Sequence, residues 1–181
     1  TKGYTKKAGS AYAMSGITQK GAFFVVCETD NHIDSKQICF RFSSYARSTH
    51  TSVETAIHEA LRYINRQTDS IILGTITETQ LDYSIIGNNL SIMLISNSPV
   101  LITGNQSKIE YDHIEIYPET KLLVGTSTAI NLLTQSSNLA VIKKQSHSSS
   151  IRKTLVNLRE SNQQEIAQIS QDFAVAFIMT P

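Results

Sequence analysis

The densest run of groups able to do acid–base or metal chemistry is Glu28-Thr29-Asp30-Asn31-His32. It follows directly on Ala22-Phe23-Phe24-Val25-Val26-Cys27, a continuous apolar run of strand length, which reads as a strand buried on both faces. Carboxylates and an imidazole crowded where a buried strand stops are held by a rigid element and still reach solvent. A metal cluster or an acid/base pair needs that setting. Glu28, Asp30 and His32 are therefore the first candidate group; the competing reading makes them solvated loop polars that cap a following helix. Asp172 precedes a terminal apolar run and is either a ligand or a turn residue. His50, His58, His113 and His147 stand apart without ligand spacing and read as surface histidines. The two cysteines, Cys27 and Cys39, lie inside apolar runs and read as buried free thiols of a reducing compartment; two thiols alone make no metal site.

A length of 181 residues and a net charge of +1 point to a single domain, 1–181, with a substantial core. They give no electrostatic footprint for nucleic acid or a membrane surface. Charged residues are only 17 % while Ser, Thr, Asn and Gln abound, which describes the polar, weakly charged surface of an interaction module. Lys143-Lys144 with Arg152 and Lys153 reads as a solvated face. Ser148-Ser149-Ser150 is either a phosphate acceptor or a helix cap. No apolar run approaches the roughly 18 residues of a membrane span and no signal peptide is visible, so the expected location is the cytoplasm. The chain begins at Thr1 without a methionine, as an excised domain or a processed product would.

The elements that must position these groups centre on Ile71 to Ile102. Ile71–Thr77, Gln80–Ile86, Leu90–Ile95 and Val100–Ile102 read as strands, with Leu81, Tyr83 and Ile85 on one face. The Gly87-Asn88-Asn89 and Asn97-Ser98-Pro99 turns between them predict an antiparallel meander covered on both sides. Tyr12–Met14 predicts a short strand, Ile33–Tyr45 a helix, and Ser52–Gln67 a second helix whose capping box is Thr51-Ser52-Val53-Glu54. Gly104–Asp112 reads as a polar connection, Ile114–Tyr117 and Lys121–Gly125 as strands, and Ala129–Leu133 as one or two helical turns. Ser150–Arg159 reads as a helix and Phe173–Met179 as a final strand. Helices grouped against antiparallel strands make the fold class α+β, with the strands split into two sheets.

Taken in order, the strand ends resemble the metal-dependent serine/threonine protein phosphatases of type 2C. Lys6-Lys7-Ala8-Gly9-Ser10-Ala11 falls on an R-x-x-N-x-D segment, and Phe23–Cys27 with Glu28-Thr29-Asp30-Asn31-His32 on a strand leading to D-G-x-G-G. Gly74-Thr75 resembles a G-T strand and Ile86-Gly87-Asn88-Asn89-Leu90 a G-[DN] turn. Leu122–Ala129 resembles an L-L-x-S-D-G-L strand end, and Asp172–Ala176 the terminal D-N strand. The resemblance covers nearly the whole chain and implies an antiparallel β-sandwich flanked by helices, with two divalent metal ions at one end. In that family a metal-bound water attacks phosphorus.

The departures fall on the implied ligand positions. The first acid is Ala11, the phosphate-gripping arginine is at best Lys6, the bridging aspartate is Glu28, its glycine partner is Thr29, and the S-D-G aspartate is Ser127. Only Asp172 keeps its type. Hard divalent ions need several carboxylate or carbonyl oxygens at one point, so Glu28 and Asp172 remain as vestiges. The implied protein is a pseudophosphatase without a cofactor that acts by binding a protein partner in a signalling or regulatory complex, with Lys6 as a possible contact to a phosphorylated segment. Two alternatives stand beside it. One is a weakly active enzyme whose rebuilt site, Glu28, Asp30 and Asp172, holds manganese or magnesium. The other is an N-terminal-threonine hydrolase with Thr1 as nucleophile, activated by its own amine or a lysine.

Overall fold

The structure, a computed structural model, describes residues 11–19, 21–29, 32–48, 52–62, 69–96, 99–104, 110–117, 120–144, 153–154, 156–157, 160–161 and 175–179. Strands β1 (Ala11–Thr18) and β2 (Gly21–Glu28) are followed by helices α1 (His32–Arg47) and α2 (Val53–Leu61). Then come β3 (Ser70–Ile76), β4 (Gln80–Ile86), β5 (Leu90–Ile95), β6 (Val100–Thr103), β7 (Glu110–Glu115) and β8 (Lys121–Thr126). Helices α3 (Ser127–Thr134) and α4 (Ser136–Lys144) and strand β9 (Val175–Met179) complete the order.

The strands form two antiparallel sheets, β1-β2-β3-β4-β7 and β6-β5-β8-β9. Alternation along each strand sorts its side chains into layers. Phe24, Val26, Ile72, Leu81, Ile85, Leu90, Ile92, Leu122 and Val124 fill the space between the sheets. The intervening residues Phe23, Val25, Cys27, Ile71 and Leu73 pack under α1 and α2 against Ile38, Cys39, Phe42, Ile57 and Ala60. On the far side, Met93, Ile95 and Leu123 pack under α3 and α4 against Ile130, Leu133 and Ile142. The apolar runs Phe23–Cys27, Ile71–Leu73 and Ile92–Ile95 are apolar on both faces because both faces are covered. The α+β class and the helix-flanked antiparallel sandwich are as the sequence predicts.

Several expectations are corrected. The strands from Ile71 to Ile102 are not one meander: β3 and β4 pair in one sheet, β5 and β6 in the other. The Gly87-Asn88-Asn89 turn is the crossover between sheets. Gly87 has φ +84°, and a Cβ there would lie 2.1 Å from Ser70 Oγ, so both backbone sign and space call for glycine. The first strand is Ala11–Thr18, longer than Tyr12–Met14. The α2 cap is Ser52, which accepts from Thr55 N–H at 3.1 Å, one residue beyond the predicted Thr51. Strand β7 begins at Glu110 inside the stretch read as a connection. Helix α4 was not foreseen at all. Part of the predicted Ser52–Gln67 helix, residues 63–67, lies outside the described residues.

Candidate functional site

One end of the sandwich collects the strand ends that the sequence singles out. Register sets Ala11 opposite Glu28, and Glu28 opposite Ser70. Ser70 in turn abuts Gly87, where the chain leaves the first sheet. At the far end of the crossover Asn88 and Asn89 meet the β8–α3 junction. Ser127 N–H donates to Asn89 O at 2.7 Å, and Ser127 Oγ donates to Asn88 O at 3.2 Å. The rim therefore runs Ala11, Glu28, Ser70, Gly87, Asn88, Ser127. The links are ladder registers at Ala11–Glu28–Ser70, close packing of Ser70 on Gly87, the chain itself to Asn88 and a hydrogen bond to Ser127, so the strand ends hold the line.

The polar groups on this rim are mostly neutral hydroxyls already engaged with one another. Thr29 is buried; its N–H donates to Ser35 Oγ at 3.1 Å and the two hydroxyls lie 2.9 Å apart. Ser127 Oγ lies 2.8 Å from Ser91 Oγ. Ala11 is fully buried and contributes a methyl group to the inter-sheet core. Two carboxylates stand nearby, the half-buried Glu28 and the buried Asp69. Their proximity registers on Cys27. Burial pushes that thiol well above its ordinary range, Cys39, Asp69 and Glu28 push the same way, and a hydrogen bond with Ser35 opposes them. Burial likewise raises Cys39 strongly, against a hydrogen bond with the Cys27 main chain. Both cysteines are buried free thiols, held neutral by the apolar layer under α1.

Of the predicted residues, Ala11, Glu28, Thr29 and Ser127 do come to one end. His32 opens α1. Lys6, Asp30, Asp172, His50 and His147, together with Thr1, lie outside the described residues. His58 is exposed on α2, 3.9 Å from the Glu54 carboxylate, and His113 is exposed on β7 opposite Asp82; both are surface histidines as read. Asp69, Ser91 and Thr126 belong to the rim and were missed as site residues. Asp69 precedes a recognisable strand, but only the β2–β3 register, set across some forty residues of chain, carries it to Glu28. Among the described residues no three His, Cys, Asp or Glu side chains form a group that could hold a metal ion. The described oxygens here are the Glu28 and Asp69 carboxylates and hydroxyls already bonded to one another, with an alanine methyl at the first implied ligand position, fewer carboxylates than a two-ion cage for hard divalent cations asks for.

No protein-family profile matches the sequence, and no curated protein matches it. Solved structures do match the fold. The catalytic domain of the serine/threonine protein phosphatase PstP, in complex with two manganese ions, superposes with a TM-score of 0.72 at 9 % identity, covering 99 % of this chain and 94 % of that one. The SiaA-PP2C domain of Pseudomonas aeruginosa gives 0.69 at 9 % identity over 96 % and 81 %. PppA, a key regulatory component of the T6SS in Pseudomonas aeruginosa, gives 0.65 at 12 % identity over 97 % of each chain. The chain thus has the fold of the type-2C serine/threonine phosphatase domains, as its strand-end motifs imply. At these identities the likeness is one of fold, and function has to come from the rim.

Proposed function

We propose that this chain is a pseudophosphatase: a type-2C phosphatase-like domain that has kept the sandwich, lost metal-assisted hydrolysis, and works by binding a protein partner in a regulatory complex. One observation carries this reading. Where the resemblance implies metal-ligating carboxylates, the chain has Ala11 and Ser127. Ala11 is packed into the core, and Thr29 and Ser127 spend their hydroxyls on Ser35, Ser91 and Asn88. A bridging water made nucleophilic at neutral pH needs the charge of bound cations beside it, and cations of that kind need more oxygen donors than this rim offers. PppA, described as a regulatory component, has the same fold and lends support to a regulatory role.

What the rim residues do is hold the end of the sandwich shut. Thr29 and Ser35 join the end of β2 to the first turn of α1, and Ser127 joins the β8–α3 junction to the sheet crossover. The partner is a protein segment, and a phosphorylated one would be met by Lys6. The weakly active alternative draws on a different observation, the presence of Asp69 as well as Glu28 near Cys27. With Asp30 and Asp172 those carboxylates would form a rebuilt single-ion site.

Turnover of a phosphoserine peptide in the presence of manganese or magnesium separates the two. The pseudophosphatase releases no phosphate above the buffer rate. Release that disappears in both Glu28→Gln and Asp172→Ala would establish the rebuilt site instead.

A further inference from the structure

The two sheets finish differently at their edges. Strand β7, at the edge of the five-stranded sheet, carries Glu110, Asp112, His113 and Glu115, charges of the kind that keep an edge from recruiting another strand. Strand β6, at the edge of the four-stranded sheet, is Val100-Leu101-Ile102-Thr103 and carries none. Its register sets Val100 against Leu94 and Leu101 against Met93. Leu94 belongs to the layer between the sheets and Met93 to the layer under α3 and α4, so Val100 and Leu101 stand on opposite faces. Both are nearly half exposed, at 47 % and 46 %. Apolar groups uncovered on both faces of an uncharged edge are what an added strand covers, its main chain pairing with β6 and its side chains alternating over the two faces. Charge says what that strand carries. Strands β5, β6, β8 and β9 with helices α3 and α4 hold three charged residues, Lys121, Lys143 and Lys144, and no Asp or Glu. The three lysines gather at one end. Lys121 pairs with Ile95, one residue along β5 from the Leu94–Val100 pair. Its Nζ donates to the last carbonyls of α4, Ile142 O and Lys143 O. Lys121 thus caps the helix end, while Lys143 and Lys144 are exposed beside it and no acid on these elements answers them.

We infer that β6 is a docking edge for an extended segment of a partner protein, apolar and then acidic, which joins the four-stranded sheet as a fifth strand. Running antiparallel to β6, the segment covers Ile102, Leu101 and Val100 with consecutive apolar residues. It then carries Asp or Glu past Val100 towards Lys143 and Lys144. A second copy of this chain fits the edge less well. Its own β6 half brings the same lysines and no acid, and two paired four-residue strands cover far less than the roughly 800 Å² per side of a stable interface. The inference rests on the proposed partner binding and gives it a surface. That surface is separate from the rim: the lysines lie at the Ile95 end of β5, and the rim at its Leu90 end.

The experiment selects a displayed library of random decapeptides on the purified protein and titrates the enriched peptides, made synthetically, into isotopically labelled protein. Enriched sequences are expected to hold three or more consecutive apolar residues followed by Asp or Glu. Their saturable amide shifts should centre on Val100–Thr103 and reach Lys143 and Lys144. Leu101→Lys puts a charge on the edge and removes an apolar contact, weakening binding at least about fivefold. Replacing both lysines, Lys143→Gln with Lys144→Gln, weakens it about threefold or more, and added salt lowers the native affinity in the same sense. The same spectra report whether each variant is folded, and the double lysine variant changes only exposed side chains. No enriched peptide, or enriched peptides whose shifts fall away from β6, would overturn the docking edge. So would affinity unchanged in both variants. Peptides that bind at β6 without acids would overturn the acidic partner, and concentration-dependent shifts at β6 without peptide would make a second copy the occupant instead. Failure of the edge leaves the pseudophosphatase reading standing, whereas metal-dependent phosphate release would overturn that reading and leave the edge untouched.

Discussion

Along β2, Phe24 and Val26 fill the space between the sheets, Glu28 ends the strand at the rim and Thr29 follows it. Along β8, Leu122 and Val124 do the same, Thr126 ends the strand and Ser127 opens α3. Interior and rim are consecutive residues of the same strands, yet they carry different information. The interior holds the size and alternation that any sandwich of this class needs, and the chain as a whole superposes on phosphatase domains at 9 % identity. The rim holds an alanine, hydroxyls and two flanking carboxylates. A fold survives replacement of its rim because burial of the interior supplies most of the folding free energy. On the proposed function the metal-assisted chemistry does not survive it, because such catalysis depends on a few oxygens at fixed positions.

The comparison breaks most visibly in the interior. Phe24→Ala removes a fully buried ring and should cost about 3–5 kcal/mol, measured as a lower denaturant midpoint at unchanged slope. Next comes the hinge between the two regions. Gly87→Ala forces a left-handed backbone on a residue with a Cβ and drives that carbon into Ser70. A loss of about 1–3 kcal/mol is expected from the backbone alone, and the collision adds to it.

The thiols give a pH signature of the layer under α1. Their folded pKa values lie above the ordinary thiol range, so above about pH 8.5 the unfolded chain loses protons that the folded one keeps. Stability is then fully present below that pH and falls as pH rises beyond it, by up to about 1.4 kcal/mol per pH unit for each thiol. Thermal melts from neutral to alkaline pH should show this fall, and Cys27→Ala and Cys39→Ala should each make it shallower. The smallest effects compare two helix starts. Ser52→Ala removes a working cap and should cost about 1 kcal/mol. Thr126→Val removes a hydroxyl that caps nothing, and should leave the melting temperature unchanged or raise it.

The layers were legible in the sequence because doubly apolar runs such as Phe23–Cys27 and Ile92–Ile95 occur only where both faces are covered. The sheet switch at Gly87 was not, since a hairpin and a crossover can share the same Gly-Asn-Asn signal and differ only in which strands pair. Helix α4 hid because Leu139 and Ile142 are its only described apolar contacts with the core. The start of β7 hid because an edge strand rich in Glu, Asp and His reads as a connection. At the rim, Glu28 announced itself by ending a buried run. Ala11, Thr29 and Ser127 stood out only against the family pattern, and Asp69 and Ser91 take their place through register across strands far apart in sequence.

The most direct measurement is a calorimetric titration of manganese, then magnesium, into the purified protein. The account predicts no saturable heat with either ion, the rim lacking enough oxygens to strip their hydration shells. Stoichiometric binding that is lost in Glu28→Gln and Asp172→Ala would contradict it and make the rim a working metal site.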